Sequence, residues 1–81
     1  MRNAELFQNA FDDYVKAQDL AIKVKENASA FTKSEIQICR DIFEKWFLHF
    51  ANKAKNTNNK AEKTNSRYLK NRFLDYYRSL L

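Results

Sequence analysis

Phe31-Thr32-Lys33-Ser34-Glu35-Ile36 is the stretch on which the fold turns. Thr32 followed three residues later by Glu35 has the spacing of a capping box. In that motif the threonine hydroxyl accepts a bond from the backbone N–H of the third helical residue, and the glutamate carboxylate accepts one from the backbone N–H of the cap. Phe31 before the cap and Ile36 one residue beyond Glu35 sit where a hydrophobic staple would place them. The spacing predicts a helix starting at Lys33.

The residues downstream carry that helix to about Lys55. Ile36, Ile38, Cys39, Ile42, Phe43, Trp46, Phe47, Leu48, Phe50, Ala51 and Ala54 are its apolar positions. At 100° per residue they cover an arc of about 220°, whereas packing against one neighbour needs only a little over about 100°. Such a helix is either central, touched on two sides, or offers part of its apolar surface to another chain.

Upstream, Phe7, Ala10, Phe11, Tyr14, Ala17, Ala21, Val24 and Ala28 recur at three- and four-residue steps. This periodicity predicts one long amphipathic helix from about Asn3 to Asn27, with Asn3 as its N-cap. Glu5, Asp12, Asp19 and Glu26 follow one another at intervals of seven on the opposite side, and Asp12–Lys16 and Asp19–Lys23 have the acid-first i,i+4 order that supports a helix.

Beyond Ala51 the pattern is lost. Residues 52–66 are polar and low in complexity, which predicts the main connection of the chain, long enough for part of it to stay disordered. A third helix then begins somewhere between Asn59, with Glu62 three residues on, and Ser66. Its apolar stripe is Leu69, Phe73, Tyr76, Tyr77 and Leu80. The reading is an all-α single domain over residues 1–81: a small three-helix bundle with a long first helix, an aromatic-rich central helix and a basic C-terminal helix.

Composition agrees. The 81 residues include no glycine and no proline, although about 12% of an average chain is one or the other. Phosphate-cradling loops and dinucleotide fingerprints need glycine, and tight primed hairpin turns need residues at positive φ, usually Gly or Asn-Gly, so none of the three is expected. The lone Cys39 cannot form an internal disulfide, and the N-terminal residues hold no long apolar run. These features predict a cytoplasmic protein without a leader or a membrane span. Ten lysines and nine asparagines, both read from AT-rich codons, are what a phage, a mobile element or a low-GC bacterium would impose.

Charge is unevenly placed. Residues 1–30 carry four basic and five acidic groups, residues 31–50 three of each, and residues 51–81 eight basic and two acidic, a net +6. If the third helix extends back to Lys60, then Lys60, Arg67, Asn71 and Arg78 fall within about 40° of one another at helical pitch, with Tyr68 and Arg72 adjoining. A basic ridge beside an aromatic suits phosphates and a stacked base. The same ridge could also be a solvated face, or pair with the acidic stripe of the first helix.

Enzyme chemistry finds little support in the residues. His49 is the only histidine and lies ten positions from Cys39, about 15 Å along one helix, too far to pair. No Cys/His cluster has metal-ligand spacing, and no cofactor or small-molecule substrate is expected. The leading expectation is a non-catalytic accessory or regulatory protein, an inhibitor or adaptor. It would dock on a larger protein through Trp46, Phe47, Leu48 and Phe50, alone or as a homodimer. The alternative is nucleic-acid binding through Lys60, Lys63, Arg67, Tyr68, Lys70, Arg72 and Arg78. A helix-turn-helix would be its obvious form, but a connection over residues 52–66 is long for that motif.

Overall fold

The computed structural model describes residues 3–81; Met1 and Arg2, read above as part of a leaderless N-terminus, lie outside the described residues. The described chain is all-helical, with four α-helices and no strand: α1 (Ala4–Asp12), α2 (Tyr14–Glu26), a single 3-10 turn (Ala28–Ala30), α3 (Lys33–Asn56) and α4 (Lys60–Ser79). Three long helices were expected, and the count differs because the first one is broken.

The break is at Asp13, whose extended backbone (φ −141°, ψ 121°) ends α1. Its carboxylate accepts from the Val15 N–H at 2.8 Å and so caps α2. Breaking the helix there leaves the last carbonyls of α1 without intrahelical partners. Two neighbours on α3 take them: Trp46 Nε1 donates to the Ala10 carbonyl at 2.7 Å, and the Lys45 ammonium donates to that of Phe11. Lys45 also lies over the Phe11 and Trp46 rings, 5.7 and 4.6 Å from their centroids. The expected Asp12–Lys16 pair therefore does not form, and Asp12 accepts from Gln8 instead.

The capping box forms as its spacing predicts. Thr32 Oγ1 accepts from the Glu35 N–H at 3.1 Å, and Glu35 Oε1 accepts from the Thr32 N–H at 2.9 Å. Asn3 stands at the N-cap position of α1 but makes no side-chain cap. Its amide donates to Glu35 Oε2 instead.

The connection expected over residues 52–66 shrinks to Thr57–Asn59. Polar composition there marks an exposed helix, not a missing one. Asn59 Oδ1 accepts from the Glu62 N–H at 3.0 Å and starts α4 six residues before Ser66. Lys53 and Glu62 face each other across the turn at 3.9 Å. Ala54 and Ser66, both small, are buried in the α3–α4 seam. At the opposite end Arg40 Nη1 lies 3.4 Å from the Leu80 carbonyl, where a cation suits the C-terminal end of α4. The two helices therefore run antiparallel along their whole length. The connection is short enough for a helix-turn-helix, but that motif crosses its helices at about 90–120°, so this hairpin is not one.

α3 is the helix the others share, with α1 and α2 on one side of it and α4 on the other. Phe43, Ile42 and Cys39 from α3, Leu20 from α2 and Phe73 from α4 are wholly buried. Phe73 stacks on Phe50 (6.1 Å, 11°) and tilts on Phe43 (6.4 Å). On the other flank Tyr14 sets its edge against Trp46 and Phe50. The extents of 41 × 22 × 17 Å follow from the 24 residues of α3, about 36 Å at 1.5 Å per residue. No described non-glycine residue has positive φ, which is how a chain without glycine closes its connections.

Candidate functional site

The four residues expected to form an aromatic docking patch are not brought together on the surface. Trp46 is 8% exposed and Phe50 3%, each held between α3 and its neighbours. Phe47 is half-buried against the core. Leu48 is 53% exposed, but the flanking Glu44, Lys45, His49 and Asn52 are exposed too, so it stands alone among polar groups. Most of the wide apolar arc is covered inside the chain, because α3 packs on both sides; Leu48 is the member left exposed, and Ile36, Ile38, Phe47 and Ala51 are half-buried.

His49 is exposed, with its ring edge-on to Trp46 (5.2 Å) and Phe50 (4.9 Å). Cys39 is wholly buried, and burial, with the Glu35 charge adding to it, pushes its thiol up to about 11. No group of three or more described His, Cys, Asp or Glu residues is placed to hold a metal ion. No described helix is long and apolar enough to cross a membrane.

The basic candidates lie where helical pitch puts them. Ser66, Leu69 and Phe73 point inward, so the opposite face of α4 carries Lys60, Arg67, Asn71 and Arg78, all exposed. Lys63 and Lys70 are half-buried on one flank, while Tyr68 and Arg72 are exposed on the other. From Lys60 to Arg78 the row extends about 27 Å. The one ion pair within 4.0 Å among the described residues is Lys53–Glu62, so no described carboxylate neutralises any α4 cation at that distance. Pairing with the acidic stripe of the first helix, the third reading of this ridge, is not made within the chain at that distance.

Tyr68, at 57%, is the most exposed aromatic among the described residues. Arg72 lies between two tyrosines one turn away on either side, 5.8 Å from the Tyr68 ring and 5.5 Å from the Tyr76 ring. It donates from Nη2 to the Tyr76 hydroxyl at 2.8 Å. That bond, with the Tyr76 and Tyr68 phenols nearby, raises the Arg72 pKa still further, so its charge is permanent. An open, shallow hollow adjoins the Tyr68 ring, lined by Lys60, Ala61, Thr64, Asn65 and Tyr68. Sequence reasoning did not single out Ala61, Thr64 and Asn65, because it left the start of the third helix open between Asn59 and Ser66. The Asn59–Glu62 spacing is the signal that places them on it.

A second concavity was also missed. A groove of about 570 Å³ runs between the end of α2 and the end of α4, with Ala21, Val24, Ala28, Phe43, Tyr76 and Leu80 along it and Lys25, Arg72 and Asp75 among its charged lining. Small residues at 21 and 28 on the α2 side leave the space. The chain matches no protein-family model, no curated protein and no solved structure.

Proposed function

We propose that the protein is a non-catalytic binding protein that holds the phosphate backbone of a nucleic acid along the outer face of α4. The observation that carries this reading is the set of six cations on one 20-residue helix, none of them within 4.0 Å of a described carboxylate. A face serving solubility alone would interleave both signs, as the balanced first two-thirds of the chain does. The excess of α4 is the sequence-independent footprint of phosphate contact. The buried free Cys39 suits a reducing compartment such as the cytoplasm.

Titration of a labelled oligonucleotide at rising salt tests it. Four neutralised phosphates give a slope of log K against log salt of about −3 on a single strand and nearer −4 on a duplex. Replacing Arg67 and Arg78 together with Gln reduces the slope by between about one and two. Absence of micromolar binding at about 50 mM salt overturns the reading.

Docking on a larger protein, as an accessory or regulatory subunit, is the second reading. It now rests on the apolar α2–α4 groove, because Trp46 and Phe50 are core. A partner there would protect Lys25 and Leu80 from labelling and leave Arg67 accessible.

A further inference from the structure

The hollow beside Tyr68 has the makings of a base-binding slot. Helical side chains lean toward the N-terminus, so the Tyr68 ring stands over the turn that carries Thr64 and Asn65 and forms one wall of the hollow. Ala61 leaves the space open, and Lys60 lines it one turn further on. Among the described residues Tyr68 enters no aromatic pair, unlike Tyr14 and Tyr76, which both have ring neighbours. The Arg72 guanidinium, tethered to Tyr76, lies over the Tyr68 ring 5.8 Å from its centroid, which holds a fixed cation beside it. The Thr64 hydroxyl and the Asn65 amide make no side-chain hydrogen bond to other described residues, while the Asn59 side chain is spent on capping. Asn65 offers both a donor and an acceptor, the pair that reads a base edge.

We infer that this hollow takes one unpaired base of a single-stranded nucleic acid. The base lies on the Tyr68 ring, its edge meets Thr64 and Asn65, and the adjoining phosphates are held by Lys60 and by Arg67 or Arg72. The inference rests on the nucleic-acid reading and narrows it. A base inside a duplex is stacked on both faces and cannot lie on Tyr68, whereas a single strand presents that face freely.

The test is fluorescence anisotropy at one fixed salt with five probes. They are single-stranded DNA, single-stranded RNA, an abasic strand with the same number of phosphates, the matching duplex, and poly-glutamate of equal charge. Tyr68→Ala weakens binding of the base-bearing strands about 5- to 140-fold, the equivalent of ~1–3 kcal/mol. It leaves the abasic strand, the duplex and the salt slope unchanged, and Tyr68→Phe stays near wild type. Tyr68 is exposed, and circular dichroism of each variant verifies the fold. Arg67→Gln, in contrast, weakens all nucleic-acid probes alike. Tighter binding of the DNA or the RNA strand than of the abasic strand, lost in Tyr68→Ala, supports the slot, and the better-bound of the two names the sugar. Equal loss on abasic and base-bearing strands, or no loss on either, overturns the slot while salt-dependent phosphate binding stands. No salt-dependent binding to any probe overturns both readings. Poly-glutamate bound as tightly as the base-bearing strands overturns the slot in favour of an acidic protein partner.

Discussion

Asn3 and Glu35, 32 positions apart, are joined by a 2.8 Å hydrogen bond from the asparagine amide to Glu35 Oε2. The other carboxylate oxygen closes the capping box on Thr32. One side chain therefore starts α3 and ties the beginning of α1 to it. The backbone bond from Thr32, then the Asn3 amide, hold the Glu35 pKa below its ordinary 4.5 against the opposing effect of desolvation.

A carboxylate depressed on folding binds fewer protons in the folded state than in the unfolded one between its two pKa values, so it contributes stability that is complete above about pH 4.5 and disappears as pH falls through the folded value. Glu35→Gln should flatten the acid limb of a stability-versus-pH curve below pH 4.5. An unchanged acid limb in urea titrations would show that the bonds to Thr32 and Asn3 do not distinguish the ionised form.

Thr32→Ala removes the hydroxyl that caps the Glu35 N–H and should cost about 1 kcal/mol, with Thr32→Ser close to wild type. For a domain of this length that is a fall in Tm of about 4–8 °C. Equal melting points for the three proteins would refute the capping assignment.

Trp46→Phe keeps an aromatic body but leaves the Ala10 carbonyl without the indole donor. A buried acceptor left unpaired costs about 1–3 kcal/mol. Hydrogen exchange should also quicken in α1 more than in α4, because the lost bond holds the α1–α2 break against α3. Uniform quickening through the chain would argue that the bond holds nothing local.

Phe50→Ala and Leu48→Glu separate core from surface two residues apart. Phe50 packs on Phe73, Trp46 and Tyr14, and its truncation should cost about 3–5 kcal/mol. Leu48→Glu should stay within about 0.5 kcal/mol of wild type and leave the sedimentation coefficient unchanged. A change of oligomeric state on Leu48→Glu would restore a role for that face in association.

Limited trypsin digestion should begin at Lys25 or Lys33, which flank the 3-10 turn and its extended neighbours. Lys53 and Lys63 lie inside helices that pack along each other and should be cut later. First cuts at Lys53 or Lys63 would bring back the long loose connection that composition alone suggests.

The start of α3 at Lys33, the absence of strands and the basic row on α4 were all legible in the residues. Each is a local property: a three-residue cap spacing, a helical periodicity, a run of cations at fixed pitch. Residues 52–66 were misread because an exposed antiparallel hairpin needs few apolar positions near its turn; Ala54 and Ser66 suffice there, and neither stands out in a polar stretch. The break at Asp13 was hidden because the apolar period continues through it, both segments facing α3. What holds that break, the Trp46–Ala10 bond, joins residues 36 apart, and no local pattern specifies such a contact. The same limit applied to the aromatic candidates. Sequence fixes which side of α3 is apolar, but only the positions of α1, α2 and α4 decide that Trp46 and Phe50 are covered and Tyr68 is left open, since burial is a property of neighbours brought together by folding.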